Sequence, residues 1–393
     1  MKALIQLAGL AAGALFALAA RADAVTDWNT KTGEILLEAK MGTPPAVRLM
    51  AIVQTAAYQA ARAAGQRGAS VEAALAAAHR TSLLKLLPAQ QAMIDSAYQS
   101  ALNPIADNPA RVEGLAQGEA AAQAVLAARL NDGTAAPDSY RPHTTAGVYV
   151  PTASPAVTGW PQRRPWLMQS GAQFRPAPPP ALTSEAWARD FNEVKALGGR
   201  ASTRRSAEQT EVARFWDFSA PPVYHALVRS LALQPGRTLE RNARLFAAAA
   251  QAMDDAVIAI FDAKYHYNSW RPVTAIRNAD IDGNDATERD PVWAPLIDTP
   301  LHPEYPSAHS VLASSLAVVL AAEVGNAPLP VLSTSSPTAK GATRQYGNLA
   351  AFVQEVADAR VWGGIHYRTA TEVGARMGQQ VGGLAAAWLR EAP

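Results

Sequence analysis

The chain has 393 residues, with 35 Lys and Arg against 33 Asp and Glu, 7 His and no Cys. A net charge of +2 supplies no basic field of the kind nucleic-acid binders carry, and the lack of Cys excludes disulfide scaffolds, thiolate metal sites and cysteine nucleophiles. At 49% hydrophobic and 17% charged, the chain has ample material for a core, which excludes global disorder.

Residues 1–24 read as an export signal. Met1-Lys2 is a short positive end, residues 3–20 are an apolar run, and Ala22-Asp23-Ala24 closes it with small residues where a signal peptidase reads. A run of about 18 residues is also long enough for a membrane anchor. The A-x-A ending, with no basic cluster after it, favours cleavage. The expectation is an exported protein, periplasmic or secreted.

The remainder reads as helix after helix. Residues 45–65 place Leu49, Ile52, Val53, Ala56 and Ala60 on one stripe, the pattern of an amphipathic helix, and similar patterns cover 70–86, 89–102 and 112–130. From 131 to 182 the pattern dissolves into Pro, Gly, Thr and scattered aromatics. So long a connection is either a covering loop or a linker, and the covering loop is favoured, since Trp160, Trp166 and Phe174 need something to pack against. Ser206-Ala-Glu-Gln209 is a capping box opening the next helix, and 239–264, 307–324, 346–361 and 371–390 complete the set. No strand alternation and no fixed repeat stand out, so the fold class is all-α: N-terminal helices and a Pro-rich loop over 25–205, and a helical bundle over 206–393.

Three short segments carry candidate chemistry. Lys264 and Arg271 lie seven apart, which puts them on one face of a helix that Pro272 would end. Taken alone, the pair also fits a solvated cationic face. Pro306-Ser307-Ala308-His309 opens an apolar helix, so unpaired N–H groups and the Ser hydroxyl form an anion cradle beside His309; an ordinary N-cap with a surface His has the same sequence. In Arg360-Val-Trp-Gly-Gly-Ile-His366 the two glycines are expected to break the helix, letting Arg360 and His366 turn toward one point.

In order and spacing these segments resemble the type 2 phosphatidic-acid phosphatase/vanadium haloperoxidase superfamily, whose pattern runs K-x6-R-P, then P-S-G-H, then S-R-x5-H-x3-D. The resemblance to its bacterial haloperoxidase-like branch extends to ADAVTDWN at 22–29, AEQTEVARFWDFSAPP at 207–222 and AKYHYNSWRPVTAIR at 263–277, and is densest from about residue 206. It implies a helical bundle in which Lys264, Arg271, Ser307, Ala308 and Arg360 surround vanadate or phosphate, His366 provides an axial nitrogen and His309 handles protons. Three cations around one point suit a tetrahedral oxyanion. In a haloperoxidase His366 would ligate vanadium, with hydrogen peroxide and halide as substrates. In an acid phosphatase it would form a phosphohistidine from a phosphate monoester, without a cofactor. His302, five before Ser307, resembles the bromoperoxidase residue near vanadate and implies a bromide or iodide preference; a plain loop His among prolines is the other reading.

The sequence departs from the pattern at three places. Ala308 replaces the usual Gly, Ala359 stands where Ser precedes the Arg, and Ala370 stands where an Asp would hold the His366 N–H. A backbone carbonyl or Glu372 is a substitute for that Asp, and its loss tilts the reading toward the haloperoxidase. A zinc hydrolase using His302, His309 and His366 would want an H-E-x-x-H or a nearby carboxylate ligand, which the sequence does not display. A passive phosphate-binding module would have no use for two facing histidines. Asp280 to Asp285 reads as a turn rather than a calcium loop, and His79, His143, His225 and His266 as packing or surface residues.

Overall fold

The computed structural model describes residues 23–391. Helices follow one another as α1 (Ala24–Glu38), α2 (Thr43–Gln66), α3 (Val71–Leu86), α4 (Gln91–Leu102), α5 (Pro109–Ala128), α6 (Glu185–Gly198), α7 (Ala207–Phe215), α8 (Pro221–Ala232), α9 (Leu239–Tyr267), α10 (Pro272–Arg277), α11 (Ala308–Val324), α12 (Leu349–Trp362) and α13 (Arg368–Arg390). The all-α expectation holds. The segments expected at 45–65, 70–86, 112–130 and 239–264 are α2, α3, α5 and α9, and the capping box at Ser206 is formed, with Gln209 Oε1 accepting from the Ser206 N–H at 2.9 Å.

Helices α1, α6, α8 and α10 were not anticipated, and neither was a small hairpin of β1 (Leu332–Ser335) and β2 (Thr343–Tyr346), paired antiparallel from Leu332↔Tyr346 to Ser335↔Thr343. LSTS and TRQY are too polar and too short to show a buried alternating face, so pairing here is set by α8 packing behind β1. The export reading of residues 1–24 falls almost wholly outside the described residues. Asp23, the first described, caps α1: its carboxylate accepts the Thr26 N–H at 2.8 Å.

α9 is the axis of the molecule. Its 29 residues, about 44 Å at 1.5 Å per residue, are buried along nearly the whole length. α2, α11 and α13 all pack against it. The main hydrophobic cluster therefore draws Val47, Ala57 and Tyr58 of the N-terminal half together with Phe246, Ile258, Leu316, Phe352 and Met377.

α11 and α13 make the closest helix pair. Gly374, Gly378 and Gly382 face the carbonyl oxygens of Ser307, Val311 and Ser315 in turn, and a Cβ at any of the three would overlap the opposite backbone. Small residues every fourth position let the two backbones touch, and that contact holds the start of α11 against the start of α13.

The stretch from 131 to 182 is a covering loop, as expected. Trp160 and Met168 are buried by it, and Trp166 and Phe174 are partly so. It is fastened to α9 by neighbouring acids: Asp254 pairs with Arg163, and Asp255 accepts the backbone N–H groups of Trp166, Leu167 and Met168 at 2.6, 2.8 and 3.0 Å.

Candidate active site

Lys264 and Arg271 do not share a helix face. α9 ends at Tyr267, four residues before Arg271, because Asn268 takes the left-handed conformation (φ 50°) and terminates the helix. Arg271 then sits at the N-cap of α10. Both side chains are nonetheless fully buried and reach one place, so the two residues converge by a turn rather than by helical periodicity.

Lys264 Nζ donates to the carbonyl oxygens of Pro303 (2.9 Å) and Glu304 (2.7 Å), which pins the segment leading into α11. Arg271 uses its whole fork. Nε donates to the His302 carbonyl at 2.9 Å, Nη1 to the Ile365 carbonyl at 2.8 Å and to His366 Nε2 at 3.2 Å, and Nη2 to His302 Nδ1 at 3.0 Å. A guanidinium only donates, so His302 Nδ1 is an acceptor and cannot also donate to the Pro303 carbonyl 3.2 Å away. His302 is half-buried, edge-on to Phe261 with ring centres 5.1 Å apart.

Ser307 is the N-cap of α11 and Ala308 its first residue, so the helix presents free N–H groups here. The Ser307 N–H is already used, donating to the Ala370 carbonyl at 3.0 Å, while its hydroxyl accepts from Ser310 at 3.1 Å. His309, one turn in, is buried with Nε2 lacking any partner.

The glycine break between Arg360 and His366 is real. α12 ends at Trp362, Gly363 caps it, and Gly364 adopts φ 80°. A Cβ on Gly364 would also strike the Gly198 carbonyl, so the turn demands glycine twice over. Arg360 is buried, donates from Nη1 to the Trp216 carbonyl, and leaves Nε unpaired. Asp217 lies near enough to feel the Arg360 charge but makes no hydrogen bond with it.

The structure adds a residue that the sequence reading missed. His366 Nδ1 donates to Glu304 Oε1 at 2.6 Å, and the same oxygen accepts the Tyr367 N–H at 3.1 Å. Glu372, considered for this task, is exposed on the outer face of α13 and does not take part. The only available sign was a lone acid inside HPEYPSAH, next to the Ser and His already singled out. The zinc-hydrolase reading gains nothing from it: among the described residues no three His, Asp or Glu side chains gather as a metal cluster.

Electrostatics follow from burial. The pKa values of His302, His309 and His366 are all lowered, first by desolvation and then by the neighbouring cations, Arg271 and Lys264 for His302 and His366 and Arg360 for His309. Arg271 and Arg360 are pulled down to about 10 and stay charged at neutral pH, while Lys264 is lowered by burial and by Arg271. Desolvation pushes Glu304 up to about 7 against the pull of Lys264 and Arg271. Neutral imidazoles among fixed cations are what an oxyanion with an axial nitrogen requires.

Vanadate or phosphate is what this donor set fits. Its buried orphans, His309 Nε2 and Arg360 Nε, need an acceptor or donor that no protein group supplies. With Glu304 accepting at Nδ1 and Arg271 donating at Nε2, His366 is held as the Nδ1–H tautomer with its Nε2 lone pair toward the cations.

The other sequence readings stand as follows. Asp280 to Asp285 is a turn, in which Asp282 accepts from the Trp187 indole and the Asn284 N–H at 3.0 and 2.9 Å. His79 and His225 are buried, and His143 and His266 are exposed.

Comparison with known proteins agrees with this geometry. Residues 244–392, which hold every site residue, match the family model described as the VCPO second helical-bundle domain. The chain is similar to the crystal structure of a bacterial vanadium-dependent iodoperoxidase, described as the first of its kind, at 25% identity and a TM-score of 0.77, covering 93% of this chain and 95% of that one. It also resembles a bacterial vanadium-dependent chloroperoxidase in apo form (16% identity, TM-score 0.71, 88% and 93% covered) and in holo form (17%, 0.68, 89% and 93%). No curated protein sequence matches it. The family-model match over residues 244–392 and the similarity in fold over nearly the whole chain support the vanadium haloperoxidase superfamily of enzymes.

Proposed function

We propose that the protein is a vanadate-dependent haloperoxidase that oxidises halide with hydrogen peroxide, exported through residues 1–24. The observation that carries the reading is the His366 Nε2 lone pair, fixed among buried Arg271, Arg360 and Lys264 with the unpaired His309 Nε2 close to Arg360. The likeness to an iodoperoxidase over nearly the full length of both chains supports halide oxidation over phosphate ester hydrolysis. The alanine at 370 no longer separates the two, because Glu304 stands at His366 Nδ1.

Vanadate, when bound, supplies a Lewis-acidic centre that activates peroxide toward halide. Lys264, Arg271 and Arg360 would balance its charge, Ser307 and the Ala308 N–H would donate to it, and His366 Nε2 would be its protein ligand. Halide plus peroxide plus one proton gives hypohalous acid and water, so a proton must be delivered. His309 holds and passes it at Nε2, where burial keeps the imidazole neutral and able to accept. His302 is bound to Arg271 and lies against Phe261, and its resemblance to the bromoperoxidase residue implies bromide or iodide as the halide.

The test is a two-branch assay on purified protein. One branch supplies orthovanadate, hydrogen peroxide and iodide or bromide with a halogenation indicator; the other supplies an aryl phosphate alone. Halogenation that depends on vanadate is expected. Phosphate release blocked by vanadate would instead make the protein a phosphatase working through a phosphohistidine at His366.

A further inference from the structure

We propose that Glu304 is the positioning residue for His366, supplying from the loop before α11 the carboxylate that the superfamily pattern carries at position 370 on α13. The proposal rests on the reading of His366 as the axial nitrogen.

The geometry makes Glu304 a fixed part rather than a passing contact. Its Oε1 takes both the His366 ring N–H, at 2.6 Å, and the backbone N–H of Tyr367, at 3.1 Å, so one oxygen sets the tilt of the ring and its distance from the chain. The residue itself cannot drift. Its own N–H donates to the Ser269 carbonyl at 2.9 Å, and its carbonyl is held by Lys264 Nζ at 2.7 Å. One cation thus steadies the segment bearing the carboxylate that aims the histidine.

Position 370 tells the complementary story. Ala370 is buried and lines a cavity of about 40 Å³ that Glu304 also lines, together with Trp187, Trp270, Tyr305 and Tyr367. The two positions face one space from opposite elements. Trp270 Nε1 and the Tyr367 hydroxyl, both buried, have no partner in the protein, and both residues border this space. A carboxylate introduced from α13 would enter a space bordered by two residues with unpartnered donors. Glu304 thus borders from one side a space that position 370 borders from the other, and only the 304 side carries an acid.

The experiment uses the full chain with Glu304→Ala, Glu304→Asp and the double variant Glu304→Ala/Ala370→Asp. Two readouts are taken: orthovanadate affinity by calorimetry, and the imidazole ¹⁵N spectrum of His366 in vanadate-free protein. Glu304→Ala is expected to weaken vanadate binding about 10- to 100-fold and to mix the His366 tautomers. Glu304→Asp, shorter by one methylene, serves if the alanine variant does not fold, with about a tenfold loss expected. The double variant is expected to recover most of the affinity and the single-tautomer spectrum. A loop staple alone would not show that recovery, because an acid on α13 cannot restore the bonds of the loop. Wild-type affinity and an unchanged His366 spectrum in both single variants would overturn the proposal, as would failure of Ala370→Asp to restore either readout. If the wild type binds no vanadate, the functional reading fails on its own, and the ¹⁵N spectra still decide whether Glu304 holds His366.

Discussion

Arg163 and Asp254, 91 residues apart in the chain, meet in two parallel hydrogen bonds of 2.6 and 2.9 Å with both side chains wholly buried. The bond ties the covering loop to the middle of α9, and Lys264 projects from the same helix at the site. Arg163 also reaches Asp132 at 3.1 Å, and Asp254 takes the Trp166 indole N–H at 2.8 Å, so the fastening is a network.

Breaking that network from one side leaves a buried charge alone. Arg163→Leu is expected to cost about 3–5 kcal/mol of stability, and adding Asp254→Leu should restore part of it, since the uncompensated carboxylate is then gone. Urea unfolding of the two variants beside the wild type measures both numbers. Equal stability of Arg163→Leu and wild type would show the loop to be held by its aromatics instead.

Arg360 has a buried fork with one nitrogen unpaired. Arg360→Ala is expected to weaken orthovanadate binding by about 2–3 kcal/mol, because a desolvated anion loses a charged donor. Calorimetric titration reads the effect directly. An unchanged affinity would place the residue outside the site.

His309 separates binding from turnover. With its Nε2 assigned to proton transfer, His309→Ala should leave vanadate affinity within a few-fold of wild type while halide oxidation falls roughly 10²- to 10⁴-fold. Steady-state halogenation at saturating vanadate is the measurement. A parallel loss of both would make the residue a vanadate-holding group.

Acid stability has an identifiable source in the N-terminal half. His79 is stacked on Trp28, donates Nδ1–H to the Leu75 carbonyl at 2.8 Å, and is held at about pKa 4 by burial. The unfolded chain binds a proton there below about 6.5 and the folded one does not, so stability is intact above pH 6.5 and is lost as pH falls toward 4. The loss amounts to about 3 kcal/mol across that window. His79→Phe keeps the stacking and should flatten the melting-temperature profile between pH 6.5 and 4. A variant profile parallel to wild type would acquit this histidine.

Much of the fold was legible because helices announce themselves through apolar periodicity, as α2 and α9 do over their whole lengths. The polar strands β1 and β2 carry no such signal, and α8, at 12 residues, is too short to show a sustained stripe. Within the site, the residues attached to local features were readable: Ser307 at a helix start and Arg360 and His366 across a Gly-Gly break. Lys264 and Arg271 were paired correctly for the wrong reason, since a left-handed Asn268 leaves no sequence mark that outweighs a following Pro. Glu304 lies 62 residues from His366, and a contact of that kind is a product of tertiary folding that no spacing rule reaches.

The touching backbones of α11 and α13 act as a ratchet with a tooth every fourth residue. Sliding α13 by one residue would move it about 1.5 Å, enough to lengthen the His366–Glu304 hydrogen bond beyond reach while taking Gly374 away from the Ser307 carbonyl that it faces. The placement of His366 beside the start of α11 is thus guarded along the whole seam, as far as Gly382, about 12 Å further down the helix. An added methyl at that remote tooth would meet the Ser315 backbone and prise the two helices apart, so a glycine far from His366 helps to set how the two helix starts meet.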